Sequence, residues 1–437
     1  MIQDTNLYGL VQPLGGLIGK AVSFWAESDE PGMATRIVDL GDVSQVWGRP
    51  SINRKTQTAQ LISGCGVGLD AENAFLPAVG EGLERYCSCV FAKEQFIAAS
   101  ARDLGGEALN LDLVARCSKT ELANPKCPLL PPDKNTPIRW VRGLSLLDGR
   151  RVYLPAVMVY LYTGSCGPGE RFWLPITTGC AGHISFERAL SSAICEVVER
   201  DAISLVWLQK LALPRIEIDH APPPLADYWA RYLRASRDLE YIFFDATTDL
   251  GVPTVYGLQI SRENQRLTTL VSCSTALQPA EAISKVMRDM AACRIAFRGP
   301  RPVPETPRDC RTVFDGASYM SPADRIHAFD FLLDNHNYKS LGGMAGLDRL
   351  SDQDALQRLL AIFRAKKMDI YAVDLSTDEA LRVGMRVVRV VIPALQPFSF
   401  NYLARYLGHP RLYDAPREMG YRAYKETELN PWPQPFA

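Results

Sequence analysis

The sequence lacks the features of several large functional classes. No apolar run approaches the roughly 18 residues that a membrane span requires, and the first ten residues have neither the basic nor the apolar region of a signal peptide. The 48 Lys and Arg residues nearly balance the 49 Asp and Glu residues, so no bulk positive charge favours nucleic acid. We therefore expect a cytoplasmic protein that binds neither a membrane nor nucleic acid.

Metal-binding and phosphate-binding motifs are also scarce. The 11 cysteines and five histidines are dispersed and form no C-x-x-C pair, which argues against a disulfide framework and a structural zinc site. The segment 15–20 is one residue shorter than a P-loop and is followed by Ala21 instead of Ser or Thr. A nucleotide site in this chain would therefore need another construction.

The composition is that of a folded protein, with 47% apolar and 22% charged residues over 437 positions. Apolar periodicity predicts a helix over 352–365, and Asp148-Gly149 predicts a hairpin between strands 140–147 and 152–162. Helical and strand patterns alternate, which indicates an α+β (mixed α/β) fold. Further strands are predicted over 241–244, 253–260, 268–273, 368–374 and 387–392.

The most informative pattern is an internal repeat, in which residues 64–85 match residues 179–200 without a gap. Each copy has a Gly-Cys pair followed by an amphipathic helix that carries E-x-x-E-R. Ser185 is the predicted N-cap of the second helix, while Pro77 either marks the first turn of the first helix or kinks it. A weaker third copy is suggested by Cys273, Ala282 and Asp289, with Arg294 just after them.

Two such helices side by side would bring four carboxylates together, and grouped carboxylates need cations. Oxygen ligands of this type suit Mg²⁺, which normally keeps phosphate oxygens and waters as well. The arginine after each acid pair, Arg85 or Arg200, offers a fork for phosphate. One E-x-x-E-R copy alone is usually a solvated helix face, but repetition in register favours a magnesium-bridged triphosphate site.

At these residues the chain resembles the YcaO family, from about residue 58 to the C-terminus. Residues 64–86 and 177–201 are similar to the first and second ATP-binding segments, and residues 281–294 resemble the third helix, whose Arg contacts the nucleotide. Residues 387–398 and 407–412 resemble the late core. The ending Pro431-Trp-Pro-Gln-Pro435 looks like the P-x-P-x-P tail of azoline-forming members.

The resemblance implies a YcaO fold, with repeated Gly-turn and helix units packed on β-sheets. It divides the chain into an N-terminal segment (1–57), a catalytic domain (58–430) and a Pro-rich tail (431–437). It also implies an ATP- and Mg²⁺-dependent cyclodehydratase. Such an enzyme phosphorylates a backbone amide oxygen of a ribosomally made precursor peptide and converts Cys, Ser or Thr to thiazoline or oxazoline. Thioamidation with a TfuA-like helper, amidine-forming macrocyclisation and a noncatalytic nucleotide-binding scaffold are the alternatives.

The resemblance further assigns residues and partners. The expected partners are the precursor peptide, a ThiF-like or other leader-binding protein, a flavin-dependent azoline oxidase and a second copy of the chain in a homodimer or larger complex. The implied metal ligands are Glu81, Glu84, Glu196 and Glu199. The implied nucleotide-binding residues are Glu81, Glu84, Arg85, Ser185, Glu187, Arg200 and Arg294, and the implied catalytic residues of the tail are Pro435 and Ala437.

Overall fold

The computed structural model describes residues 6–12, 14–27, 30–42, 61–164, 167–235, 238–299, 301–347 and 351–437. Its strands are β1 (Lys20–Trp25), β2 (Ala34–Asp42), β3 (Leu61–Gly68), β4 (Phe96–Ala99), β5 (Ile138–Ser145), β6 (Arg151–Pro155), β7 (Cys180–His183), β8 (Arg215–Glu217), β9 (Leu239–Asp245), β10 (Thr254–Ser261), β11 (Thr269–Thr275), β12 (Tyr338–Ser340), β13 (Tyr371–Asp374) and β14 (Arg386–Val391).

Its α-helices are α1 (Ala71–Cys87), α2 (Ala101–Leu104), α3 (Lys119–Leu122), α4 (Ala156–Val159), α5 (Phe186–Gln209), α6 (Leu225–Ala235), α7 (Pro279–Phe297), α8 (Asp315–Met320), α9 (Asp330–Leu333), α10 (Asp352–Lys366), α11 (Asp378–Arg382) and α12 (Arg411–Glu418). None of the helices in the described part of the chain is both long and apolar enough to cross a bilayer.

Three sheets carry these helices. The first has the order β1-β2-β3, and the second has the order β11-β10-β9-β8-β12. The third has the order β4-β5-β13-β14-β7, with β6 paired to β5. Helix α1 packs on β2 and β3, α7 packs on β10 and β11, and α5 contacts β7, β11 and β14. The long helix α5 thus connects the second and third sheets, and the predicted α+β class is confirmed.

Helix α1 can lie directly on β3 because three glycines share one face of that strand. Gly64, Gly66 and Gly68 are two residues apart, so any Cβ atoms would point the same way. A Cβ on Gly66 would lie 2.1 Å from the carbonyl oxygen of Ala74 in α1. The absence of side chains on this face therefore sets the distance between helix and strand.

The ends of α1 and α5 follow capping chemistry. The Asp70 side chain accepts hydrogen bonds from two backbone N–H groups of the first turn of α1, and Ser185 accepts one from Arg188 in α5. Ser185 is therefore the N-cap that the sequence predicts. Pro77 lies inside α1, six residues after its first residue Ala71, so it does not mark the first turn.

A network of buried ion pairs links α5 to α12 and α10. Arg411 of α12 is 6% exposed and binds Asp201 of α5 through Nη2 at 2.7 Å. The same guanidinium reaches Asp249 at 2.7 Å, and Asp249 also binds Lys366 at 2.7 Å. Because each buried charge has an opposite partner, this network holds α5, α10 and α12 in one arrangement.

Most predicted elements near the core are confirmed, with one clear error. The hairpin at Asp148-Gly149 connects β5 and β6 as expected. The strand predicted to continue to residue 162 ends instead at Pro155, because residues 156–159 form the fully buried helix α4. Strands β1 and β2 of the N-terminal segment pair into the sheet of β3. The domain boundary predicted at residue 57 lies outside the described residues.

Candidate functional site

A cleft of about 530 Å³ opens where α1, α5 and α7 meet. Its walls include the end of β3, the middle of β11 and the last two residues of the chain. Both copies of the E-x-x-E-R pattern therefore face one cavity. The charged residues that line it are Glu81, Glu84, Arg85, Glu196, Glu199, Arg200, Lys285, Arg288 and Asp289.

The first acid of each pair is held by its own repeat unit. In the first unit, the Cys65 backbone N–H donates to Glu81 Oε2 at 2.6 Å, and Arg85 Nη2 lies 2.6 Å from Glu81 Oε1. In the second unit, the Gly179 N–H donates to Glu196 at 3.0 Å, and the Arg200 guanidinium lies 3.3 Å away. In both units, therefore, the first acid accepts a backbone N–H from the Gly-Cys pair of its own unit and pairs with the arginine four residues later.

The second acid of each pair reaches the strand of the following unit. Glu84 of α1 accepts the Gly182 N–H of β7 at 2.7 Å, and Glu199 of α5 accepts the Thr275 N–H of β11 at 3.2 Å. These contacts cross 98 and 76 residues of chain. The second acids therefore join successive units and bring the two helices to one site.

The third unit contributes α7, although it carries no acid pair. Asp289 lies 93 residues after Glu196, as Cys273 does after Cys180, so Asp289 takes the place of the first acid. One turn earlier, Lys285 Nζ lies 3.2 Å from Glu199 Oε2. Asp289 belongs to the weak third copy that the sequence suggests, but Lys285 is not predicted, because the equivalent positions of the other two copies hold Pro77 and Ser192 and not a cation.

Burial and nearby charges raise the pKa values of two acidic side chains in the cleft. Burial raises the pKa of Glu84 to about 8, and the nearby carboxylates of Glu81 and Glu196 add to that rise. Burial likewise raises the pKa of Asp289 to about 6, with a contribution from Glu199. Because like charges this close disfavour ionisation, a cation bound among them would restore it.

The donor set fits Mg²⁺, since carboxylate oxygens are hard ligands and four glutamates line the cleft. Within the described ranges, no three His, Cys, Asp or Glu side chains converge tightly enough to hold an ion unaided. Arg85, Arg200 and Lys285 already neutralise part of the acid cluster. Such a site suits an ion shared with phosphate oxygens and waters.

Three residues that the resemblance assigned to nucleotide are not in the cleft. Arg294 is 6% exposed and binds Glu30 at 3.2 Å and Gln259 at 2.9 Å. It lies one residue beyond the position of α7 that matches Arg200, and one residue rotates a side chain by about 100° around a helix. Ser185 and Glu187 lie at the start of α5, where they contact each other and cap the helix.

The Pro-rich tail ends in the cleft. Phe436 is 4% exposed, its ring packs edge-on to Tyr256 at 5.5 Å, and both Phe436 and Ala437 line the cavity. Trp207 Nε1 donates to the carbonyl of Trp432 at 3.2 Å and anchors the start of the tail. Pro435 is buried just before the cleft. The tail is therefore a packed element instead of a solvated polyproline end.

Comparison with known proteins agrees with this geometry. The family model described as YcaO cyclodehydratase, ATP- and Mg²⁺-binding, matches residues 65–396. A protein of Rhizobium leguminosarum bv. trifolii, described as an uncharacterized protein in the tfuA 3′ region, is 30% identical over 195 residues. That match covers 43% of either chain.

Several solved structures share the fold. A heterocyclase in complex with substrate and cofactor superposes with a TM-score of 0.82 at 20% identity, covering 98% of this chain and 56% of that one. YcaO from Methanopyrus kandleri, bound with AMPPCP and Mg²⁺, gives a TM-score of 0.60 at 17% identity, with 88% and 87% covered. A chain of the E. coli microcin synthetase McbBCD complex with pro-MccB17 bound gives 0.59 at 15% identity, with 99% and 100% covered.

This chain thus spans little more than half of the heterocyclase and less than half of the Rhizobium relative. The family match, in contrast, covers most of the sequence and includes all three units that build the cleft. On that match the protein belongs to the YcaO family, which binds ATP and Mg²⁺.

Proposed function

We propose that this protein uses ATP and Mg²⁺ to activate a backbone amide of a ribosomally made peptide and to form an azoline ring. The supporting observation is that four glutamates of two repeat units and the end of the chain line one cleft. A scaffold that only bound nucleotide would have no need to gather four carboxylates in one cleft.

The chemistry follows from the poor leaving ability of an amide oxygen. A Cys, Ser or Thr side chain of the substrate attacks the preceding carbonyl carbon, the resulting oxyanion takes the γ-phosphoryl group of ATP, and phosphate then leaves as the C=N bond forms. Bound Mg²⁺ would neutralise charge on the transferring phosphoryl group. Glu81, Glu84, Glu196 and Glu199 would hold the metal.

The cations of the cleft have a matching role. Arg85 and Arg200 each sit beside an acid of their own helix, and Lys285 sits beside Glu199. All three would bind phosphate oxygens and orient the chain of phosphates. The packed tail, which places Phe436 and Ala437 in the cleft, would order the reacting groups there.

Glu196→Gln tests the site directly. We expect this variant to lose ATP turnover at least a hundredfold, because it removes a charge that holds the metal, while its melting temperature stays near that of the wild type. Glu72→Gln is the control, since Glu72 is an exposed helical acid, in α1, that lies outside the cleft. Retained turnover in Glu196→Gln would contradict the assignment.

Peptide thioamidation is the second candidate, and the relative from the tfuA 3′ region favours it. In that reaction an external sulfide replaces the activated oxygen. Mass spectrometry of the modified peptide separates the two: loss of one water per modified residue indicates azolines, and replacement of oxygen by sulfur indicates thioamides.

The proposed reaction also involves partners. We propose a leader-binding protein that presents the precursor peptide and a flavin-dependent oxidase that acts on the azolines. The likeness of this chain to one chain of the McbBCD complex supports an assembly of several proteins. Co-expression with the proteins of neighbouring genes, followed by size-exclusion chromatography, tests whether such a complex forms.

A further inference from the structure

A second, smaller cavity of about 40 Å³ lies beside the cleft and shares Arg200 with it. Most of its walls are apolar, including Ile176, Val197 and Phe398. A volume of this size holds only a few water-sized groups. The cavity is therefore too small for a nucleotide base or a peptide side chain of ordinary length.

One wall carries a buried cation. Arg389 of β14 is 3% exposed, and its Nη2 donates to the Ile176 carbonyl at 2.7 Å. Its Nε and Nη1 atoms have no hydrogen-bond partner within the described residues. Burial lowers the pKa of Arg389, against the opposing influence of Cys180 and Glu196. A buried guanidinium without an ion pair is costly unless something outside the protein compensates it.

A second side chain of the cavity, Trp173, also has a buried donor without a partner in the described residues. This donor is the indole Nε1–H. Two nitrogens of Arg389 and this indole nitrogen thus leave three donors unused. An excess of buried donors together with one positive charge is complementary to an anion.

We propose that this cavity binds a small monovalent anion, of the size of a halide or hydrosulfide, between Arg389 and Trp173. A single uncompensated charge matches a monoanion, and apolar walls disfavour strongly hydrated dianions such as phosphate or sulfate. The anion would also act on Arg200, because that guanidinium borders both cavities. A bound anion would thereby draw Arg200 away from Glu196 and expose the acid to metal.

Two sources could supply such an anion: chloride from solution, or hydrosulfide as the nucleophile of thioamidation. Only the second source rests on a proposed function, namely the second candidate, thioamidation. The melting temperature of the full chain, measured without ATP in chloride-free HEPES buffer at pH 8, where sulfide is present as hydrosulfide, separates binding from catalysis. Titrations with sodium bromide, chloride and hydrosulfide at constant ionic strength are compared with sodium sulfate.

We expect a saturable rise of the melting temperature with the monoanions and none with sulfate. Arg389→Gln should lose this rise, while Arg386→Gln, an exposed arginine of the same strand, should keep it. If the melting temperature saturates at a much lower concentration of hydrosulfide than of chloride, the cavity is a nucleophile site. If the two saturating concentrations are equal, it is a halide site.

A crystal soaked in bromide provides a test that needs no variant. An anomalous peak within hydrogen-bond distance of the Arg389 guanidinium would support the proposal. No peak in the cavity, or a monoanion effect unchanged in Arg389→Gln, would overturn it. If the protein binds halide in the cavity but does not turn over ATP, that result would count against the proposed function and not against the anion site.

Discussion

Replacing Glu84 by Gln should stabilise the metal-free protein at alkaline pH and abolish its activity. Glu84 has a pKa of about 8 in the folded protein, against an ordinary value of 4.5, because burial and the charges of Glu81 and Glu196 oppose its ionisation. Gln has the same shape and can still accept the Gly182 N–H. The substitution therefore removes the charge and leaves the hydrogen bond.

The magnitude follows from the pKa difference. Each pH unit between the folded and unfolded pKa is worth about 1.4 kcal/mol, so full ionisation would cost the folded state at most about 5 kcal/mol. The side chain is only partly shielded in the open cleft, and solvent screening reduces the figure to about 2 kcal/mol. For a chain of this size, that corresponds to a few degrees in melting temperature.

The pH dependence has a definite sign. Between pH 4.5 and about 8 the folded protein holds the Glu84 proton more firmly than the unfolded chain does. The stability associated with this proton is complete below pH 4.5 and is lost as the pH rises through 8. Glu84→Gln should therefore match the wild type at pH 4.5 and exceed it at pH 8.5.

Thermal unfolding in EDTA at these two pH values measures the effect, with Glu72→Gln as the control for loss of an exposed acid from α1. Adding MgATP should then stabilise the wild type and leave Glu84→Gln unchanged. If Glu84→Gln melts at or below the wild type at pH 8.5 without metal, the acids are not crowded, and the argument for a cation site fails.

Three further predictions concern the scaffold. Gly66→Ala should lower the free energy of unfolding, measured in urea, by about 1–3 kcal/mol or more, because the new Cβ would lie 2.1 Å from a backbone oxygen; Gly80→Ala, with open space around it, is the control. Burial lowers the pKa of His409 to about 4, so stability should fall as pH drops from 6.5 to 4, and the same titration of His409→Gln should show a smaller fall. Asp201→Ala should cost about 3 kcal/mol in urea unfolding, since Arg411 loses a buried partner; an equal stability in the variant would contradict that.

The sequence predicted the cleft because its construction is local and repeated. A helix that follows a Gly-Cys strand and carries acids one turn apart can be recognised from local sequence alone. Two copies of this pattern in register predict that both adopt the same geometry. The part that could not be predicted is the partner of each second acid. The contact of Glu84 with Gly182 spans 98 residues, and no local pattern encodes it.

Two residues of α7 show the same limit. The resemblance assigns Arg294 to nucleotide, but Arg294 lies one residue beyond the position of α7 that matches Arg200, and it binds Glu30. Lys285 was missed because the third unit has diverged most and because a lone lysine on a helix usually faces solvent. Its role emerges only when Glu199, from another unit, is seen 3.2 Å away.

The different sequence of the third unit follows from the arrangement of hydrogen bonds. In α1 and α5 the second acid binds a backbone N–H of the next unit's strand. Position 292 of α7 corresponds to that second acid, and it holds Ala292. Ala292 lines the cleft together with Phe436 and Ala437. A glutamate there would add charge to a crowded site, and no strand of a following unit would donate a backbone N–H to it. The third unit therefore has no acid pair, and the C-terminal tail closes the cleft beside Ala292.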